Sequence, residues 1–248
     1  WNWKAGTSFS NSGGSNDATI ASTGSVNVEA GFSIVSYTGD GNDNAKFFHG
    51  LTRAPELVIL KDRDNNSTNW RVGVTALDSS YNQVINLNLN NSASSASTIF
   101  SAVAPTANVI TLGTAADANG SGRKFICYCF ASRDQYLKIG SYVGNGNSGD
   151  DGTFIHLNFR PAWILIKRTD SSDNWMILDV KRADVSDRNP VDNILESDTS
   201  DAEESGLPCD FNSNGIKIRT TDAAFNADGG NYIYMAIADQ PFKFANSR

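Results

Sequence analysis

The chain has 248 residues and a net charge of −7, with 40% hydrophobic, 10% aromatic and only 19% charged residues. This composition permits a buried core, and the acidic charge disfavours nucleic acid as a partner because phosphate would be repelled. No apolar run approaches the ~20 residues that a membrane-spanning helix needs, so we expect no membrane insertion.

Residues 1–30 are rich in Gly, Ser, Thr and Asn and predict an N-terminal extension or linker, because they offer few apolar side chains to bury. From Gly31 onward, short alternating runs are bounded by turn residues, a pattern typical of β-strands. The first half contains the runs GFSIVSYTG, KFFHGL, ELVILK, NWRVGVTAL, VINLNLN (84–90), NVITLG (108–113) and RKFICYCFA (123–131).

The second half repeats this order of elements. It contains the runs YLKIGSYVG, TFIHLNF, AWILIK, NWMILDV, NGIKIRT (214–220) and NYIYMAIA (231–238). Residues 191–205 are the one helical candidate, but their apolar positions are sparse, so we expect a loop there. Strand-length runs at this spacing are typical of antiparallel sandwiches and jelly rolls.

Three sequence blocks recur with an almost constant offset. SYTGDGN (36–42) returns as SYVGNGN (141–147), ELVILK returns as WILIK, and STNW returns as SDNW, each about 105 residues later. A fixed offset of this size indicates a duplicated unit of domain size. We therefore predict an all-β protein of two closely packed, tandem antiparallel β-sandwich units, residues 31–134 and 135–248. A single body with interleaved strands remains the alternative.

Polar and aromatic residues in equivalent places of the two copies are the candidates for ligand binding. The loops contribute amide and carboxylate oxygens, the tryptophans offer stacking faces for a sugar, and the only two histidines lie 107 residues apart (156 − 49). The candidates are Asp40, Asn42, Asn145, Asn147, Trp70, Trp175, His49 and His156. The alternative is that the loops are ordinary hairpin turns, that each histidine hydrogen-bonds a nearby loop at a strand end, and that the tryptophans pack in the core.

Closely spaced carboxylates raise the hypothesis of a calcium site, because Ca²⁺ prefers oxygen ligands. The candidate ligands are Asp62, Asp64, Asp150, Asp151, Asp170 and Asp173. The regular ligand spacing of an EF-hand loop is missing, and we expect no other cofactor. The cysteines, Cys127, Cys129 and Cys209, do not have zinc-site spacing.

Nothing in the sequence has the pattern of a catalytic site. The histidines have no accompanying G-x-S-x-G or H-E-x-x-H motif, and the few glutamates do not suggest an acid–base pair. Lys61 and Lys167 each end an apolar strand. A lysine in this position normally lies where the strand reaches the solvent. We therefore expect a protein that is not an enzyme.

These motifs together resemble a domain of marine bacteriophage structural proteins, often found after SPRY-like or lectin-like sandwiches. The resemblance covers essentially the whole chain: the opening WNWKAGTSFSNS, the paired blocks HGLTRAPELVILKDR and FRPAWILIKRTD, and the close NGIKIRTTDAAFNADGGNYIYMAIADQPFKFANSR. The family supplies no catalytic residues to carry over.

The resemblance implies a virion surface protein, the C-terminal region of a tail fibre, tailspike or related appendage, acting in host attachment or particle assembly. Homo-oligomers and contacts with other virion proteins are the expected partners, since duplicated modules multiply weak contacts. The alternatives are a lectin-like module that binds a host-surface glycan, with or without calcium, and less favourably a polysaccharide depolymerase.

Overall fold

The computed structural model describes residues 6–182 and 189–240. Within these residues the protein is all-β and its paired strands are antiparallel, as the sequence predicted. The chain forms two compact units: unit 1 comprises Trp1–Leu87 and Ser94–Ser132, and unit 2 comprises Asn88–Ala93 and Arg133–Arg248. The change of unit at residue 132 lies two residues before the predicted boundary, and Asn88–Ala93 contributes to unit 2.

Between residues 6 and 132, the described part of unit 1 contains ten strands and two one-turn helices. The strands are β1 (Thr7–Asn11), β2 (Ser22–Asn27), β3 (Phe32–Thr38), β4 (Ala45–Phe48), β5 (Leu57–Asp62), β6 (Arg71–Val74), β7 (Gln83–Asn86), β8 (Ser94–Ser95), β9 (Val109–Leu112) and β10 (Lys124–Phe130). The helices are α1 (Ser97–Phe100) and α2 (Ala116–Asn119).

Eight of these strands form one sheet in the order β1-β2-β3-β10-β5-β6-β7-β8, while β4 and β9 form a separate pair. Alternate side chains of the large sheet, such as Val35 and Cys127, share a buried core with Phe47 of β4 and Ile110 of β9. This arrangement is a sandwich, because each layer buries one face of its alternating strands against the other.

The residues of unit 2 that the structure describes form eight strands, one one-turn helix and a 3-10 turn at Gly149–Asp151. The strands are β11 (Leu137–Val143), β12 (Phe154–His156), β13 (Pro161–Arg168), β14 (Trp175–Asp179), β15 (Val191–Glu196), β16 (Glu204–Asn212), β17 (Gly215–Ile218) and β18 (Asn231–Ala238). The helix α3 spans Ala223–Asn226.

The sheet of unit 2 has the order β11-β18-β13-β14-β15-β16-β17-β12. The run β3-β10-β5-β6-β7 of unit 1 thus returns as β11-β18-β13-β14-β15, and the pair β4-β9 returns as β12-β17. In unit 2 the long strand β16 pairs with both β15 and β17, so the two layers become one continuous sheet around the core.

Three segments differ from the sequence-based expectation. Residues 7–27, expected to be a linker, supply β1 and β2, because their Ser- and Thr-rich backbone pairs with β3 and needs little apolar area of its own. The alternating run 84–90 is a strand only as far as Asn86. Residues 191–196, expected to be a loop, form β15 between β14 and β16.

Candidate functional site

The loop that follows β3 is held by one buried asparagine. Asn119, the last residue of α2, is fully buried. Its amide nitrogen donates to Asn42 O (2.8 Å), Gly113 O (3.1 Å) and Asp40 Oδ1 (3.2 Å), and its Oδ1 accepts the N–H of Asp40 (3.0 Å). The side chain therefore uses both its donor and its acceptor groups to fix the path of the loop.

A second asparagine does the same for the loop that follows β11. Asn226, the last residue of α3, is fully buried and donates to Asn147 O (2.6 Å), Thr220 O (3.2 Å) and Asn145 Oδ1 (3.1 Å). Its Oδ1 accepts the N–H of Asn145 (3.0 Å) and the hydroxyl of Thr153 (2.9 Å). The two networks correspond atom for atom in their main contacts.

The predicted ligand-binding residues Asp40, Asn42, Asn145 and Asn147 therefore belong to two scaffold loops. Asp40 Oδ1 also accepts the N–H of Asn42 (2.9 Å), and Asn145 Oδ1 accepts the N–H of Asn147 (3.1 Å), as in Asx-turns. The repeated Gly and Asn residues are explained by this turn geometry, so the repetition gives no independent sign of ligand binding.

Sequence reasoning missed both buried asparagines. Asn119 lies in AADANG and Asn226 in AAFNADGG, 107 residues apart (226 − 119), close to the offset of the other repeated blocks. The signal was present, but an asparagine beside glycines is also ordinary turn composition. Only the topology shows that each asparagine points into the loop of a distant strand.

The two histidines do not occupy equivalent places. His49 is fully buried, whereas His156 is exposed and contacts Asn158 Oδ1 through Nε2. The N–H of Leu51 donates to His49 Nδ1 (3.2 Å), so Nε2 carries the proton and donates to Thr106 O (3.2 Å). Burial lowers the pKa of His49 from 6.5 to about 4, which keeps the ring neutral.

Backbone contacts identify the true counterpart of His49 as Leu157. The N–H of His49 donates to Asn108 O, and the N–H of Leu157 donates to Asn214 O. The next residues, Gly50 and Asn158, both have positive φ (79° and 67°). The matching of the histidines in the sequence is therefore wrong by one residue, and a shift of one residue turns a side chain to the opposite face of a strand.

The two strand-terminal lysines contact the backbone in different ways. Lys61 Nζ donates to the carbonyls of Asn65 (3.2 Å) and Thr68 (2.5 Å) and to Thr68 Oγ1 (3.0 Å), and so closes the loop after β5. Lys167 is fully buried and donates to Arg168 O (2.6 Å) and Asn90 O (3.3 Å). Burial lowers the pKa of Lys167 to about 8, against the opposing effect of nearby aspartates.

The two tryptophans occupy counterpart positions next to these lysines but differ in exposure. Trp175 is buried and pairs with Lys167 across β13 and β14. Trp70 is only half-buried and stacks on Tyr128, itself half-buried, with ring centroids 6.3 Å apart. Of the two rings proposed to stack on a sugar, only Trp70 thus keeps accessible surface.

The first pair of proposed calcium ligands is engaged with the protein. Asp62 is buried; its Oδ1 accepts the N–H groups of Asp64 (2.9 Å) and Asn65 (3.1 Å), and its Oδ2 forms an ion pair with Arg123. Asp64 Oδ2 accepts the N–H of Lys124 (2.8 Å). These contacts tie the end of β5 to the start of β10.

The proposed ligands in unit 2 are divided between two arginines. Arg219 forms ion pairs with Asp150 and with Asp210. Arg168 Nε lies 2.8 Å from Asp170 Oδ1, and Arg168 Nη1 lies 3.6 Å from Asp173 Oδ2.

The last candidate ligand, Asp151, accepts the side-chain amide of Asn145 through its backbone carbonyl (2.8 Å). Across residues 6–182 and 189–240, no group of three or more His, Cys, Asp or Glu residues is arranged to hold a metal ion. The candidate calcium ligands are therefore not gathered at one point of the described chain.

All three cysteines are buried and free. Cys127 Sγ and Cys129 Sγ lie 3.7 Å apart on β10, and burial raises the pKa of Cys127 and of Cys209. Protonated, buried thiols of this kind act as small apolar side chains.

The fold and these contacts define a duplicated all-β protein. The polar residues that recur in both units, in the loops after β3 and β11, form turns. The chain belongs to a family described as a domain of unknown function (DUF7483), whose model matches residues 1–241. No curated protein and no solved structure matches the chain. None of the helices in the described residues is long and apolar enough to cross a membrane.

Proposed function

We propose that this protein is a non-enzymatic surface protein of a bacteriophage particle. It would form the C-terminal region of a tail fibre, tailspike or related appendage, and serve host attachment or particle assembly. The observation that carries the proposal is the role of the repeated polar residues. Asn119 in unit 1 and Asn226 in unit 2 each fix a loop by hydrogen bonds within the protein. The resemblance to marine phage structural proteins points in the same direction.

The physical properties of the chain suit this role. Two copies of one module double any weak contact to a surface, and assembly into a homo-oligomer multiplies it further. The polar, acidic surface disfavours nucleic acid and favours solubility outside the cell. The partners that we propose are further copies of the chain, other virion proteins and a host-surface glycan.

Immunogold electron microscopy of virions with antibodies against this chain tests the proposal. We expect gold particles on an appendage at the particle surface, and no gold when the antibody is first absorbed with purified chain. Gold confined to the cytoplasm of infected cells would contradict the proposal. Purified chain should also slow phage adsorption if it binds the host; labelled virions with unchanged adsorption would indicate the assembly role.

A glycan-binding role is the second candidate, and the partly exposed stack of Trp70 on Tyr128 favours it. Aromatic faces next to polar loops are suited to sugar rings, which present an apolar face. A glycan array in the presence and absence of EDTA tests this role. We expect Trp70→Ala to remove binding and Val103→Ala, at an exposed site elsewhere in unit 1, to leave it unchanged. No binding under either condition would eliminate the candidate.

A further inference from the structure

The two large sheets end in four strands, and three of these have features that discourage further pairing. β8 is only two residues long. β11 and β12, the end strands in unit 2, are bridged by side chains: Lys138 Nζ donates to His156 O (2.7 Å), and Thr153 Oγ1 donates to Val143 O (3.3 Å). Short edge strands, edge lysines and covered edges are means by which natural sheets avoid pairing with other chains.

The fourth end strand, β1, has none of these features. It is five residues long, contains no charged residue and no proline, and pairs with β2 in an uninterrupted register. Ser8 and Ser10 are exposed. The contacts of β1 with the described residues lie on its β2 side, at the Phe9 ring, which meets Phe48, and in the turn after Asn11. An open, uncharged edge of this kind is a template for a further strand.

The hydrogen-bond pattern of the sheet shows which backbone groups of β1 are open. The N–H of Gly39 donates to Arg123 O at the end of the ladder between β3 and β10, so the odd-numbered residues of β3 bond to β10 and the even-numbered ones to β2. The register then directs the even-numbered residues of β2 to the odd-numbered residues of β1. The N–H and C=O groups of Ser8 and Ser10 therefore point away from β2.

The sequence of β1 is close to symmetric about its central residue. In TSFSN a serine stands on each side of Phe9, and a small polar residue stands at each end. When two such strands run antiparallel with a two-fold axis at Phe9, Ser8 lies opposite Ser10 of the partner subunit, and Thr7 lies opposite Asn11 of the partner subunit. A two-fold interface brings the same patch of both copies together, so an uncharged strand with matching halves is suited to pair with itself.

We propose that β1 is the surface through which two copies of this chain associate, by antiparallel pairing of β1 with β1 of a second copy. Ser8 and Ser10 exchange main-chain hydrogen bonds with their opposite residues, and the large sheets of the two copies become one continuous sheet. The two Phe9 residues form the non-hydrogen-bonded pair between them, where side chains come closest and aromatic pairs are favourable.

Sedimentation equilibrium of the full chain at about 1 to 100 μM tests the proposal. We expect the mass to rise with concentration from that of the 26.7 kDa chain to twice this value. The dissociation constant should be on the order of 10 μM, because small interfaces bind weakly. Ser10→Pro should weaken dimerisation at least about tenfold, since proline removes an outward N–H and leaves the bonds between β1 and β2 in place.

Two matched double variants test the register of the pairing. Ser8→Lys combined with Ser10→Lys places lysine opposite lysine at both positions and should weaken dimerisation about tenfold. Ser8→Glu combined with Ser10→Lys places glutamate opposite lysine and should preserve the dimer. Both variants change the same two exposed residues, so damage to β1 itself would affect them equally. Equal weakening in the two variants would contradict the proposed register.

Hydrogen exchange locates the contact. The amides of Ser8 and Ser10 should exchange more slowly as the concentration rises, whereas the amide of Phe9, which bonds to β2, should not change. The proposal is overturned if the chain stays monomeric, if Ser10→Pro leaves the dimer intact, or if the exchange of Ser8 and Ser10 is independent of concentration. It specifies the self-association invoked in the proposed function, but its failure would leave labelling of the virion surface unaffected.

Discussion

Asn119 and Asn226 lie 107 residues apart in the chain and hold equivalent loops by the same hydrogen bonds. The neighbouring tyrosines repeat the pattern: Tyr37 donates its hydroxyl to Ala118 O (2.6 Å), and Tyr142 donates to Phe225 O (2.8 Å). In each unit the short helix that ends in this asparagine, α2 or α3, therefore accepts a tyrosine hydroxyl from the first repeated strand and holds the following loop through the asparagine amide.

Replacing Asn119 by Ala should be costly, because four hydrogen bonds of a fully buried side chain are lost. The carbonyl oxygens of Asn42 and Gly113 lose a donor that water cannot easily replace. We expect the free energy of unfolding of unit 1 to fall by about 3 kcal/mol in urea titrations. Asn42→Ala is the control: its side chain is exposed, and a loss comparable to that of Asn119→Ala would contradict this account.

The strands and their duplication could be predicted from the sequence, because each strand has its own alternating pattern and the matching blocks are contiguous. Alternation located β3, β5, β10 and their counterparts, and the constant offset showed the duplication. The role of Asn119 was not readable, because its partners, such as Asp40, lie 79 positions away in the sequence.

The strand β2 and the difference between the two histidines also depend on residues that are distant in the sequence, so a single segment does not predict them. β2 reads as linker because Ser and Gly predominate, yet it is held by pairing with β3 and by Phe9, which packs against Gly24 and Gly50. The histidines seemed equivalent because a repeat offset read from sequence is uncertain by one residue. In a strand, that one residue separates a buried ring at His49 from an exposed one at His156.

The glycine that follows β11 should tolerate no side chain. A Cβ on Gly144 would collide with the carbonyl oxygen of Ala227 and with the backbone of Asn226. Because the obstacle is backbone, we expect Gly144→Ala to destabilise unit 2 by about 3 kcal/mol. Gly149→Ala is the matched control: it has positive φ but open space, and should cost only about 1 kcal/mol. Equal losses in chemical denaturation would show that steric contact is not the cause.

Acid should destabilise unit 1 through His49. The pKa of this residue is about 4 in the folded chain and 6.5 in the reference state, so the unfolded chain binds the proton first as pH falls. Stability that is complete above pH 6.5 is therefore lost between pH 6.5 and 4, by about 3 kcal/mol.

Denaturant unfolding at several pH values in this window measures the effect of His49. His49→Asn should lower stability at pH 7 and also flatten its pH dependence, because the titrating ring is gone. A slope that persists in His49→Asn would assign it to other groups.

The two counterpart lysines should respond in opposite directions to replacement by Met, which keeps the apolar stem. Lys61 holds a loop by hydrogen bonds to Asn65 and Thr68, so Lys61→Met should destabilise unit 1 by about 2 kcal/mol. Lys167 is a buried cation that no carboxylate of the described residues contacts by a hydrogen bond, and Lys167→Met should be neutral or stabilising at pH 7.

The pH dependence separates the lysines further. The pKa of Lys167 is about 8 in the folded chain against 10.5 for the reference, so between these values the unfolded chain holds more protons and stability rises with pH. Lys167→Met should remove this rise, and Lys61→Met should preserve it. Unfolding curves at pH 7, 8, 9 and 10 measure both effects, and a clear loss of stability in Lys167→Met at pH 7 would show that its hydrogen bonds to Arg168 and Asn90 outweigh the cost of its burial.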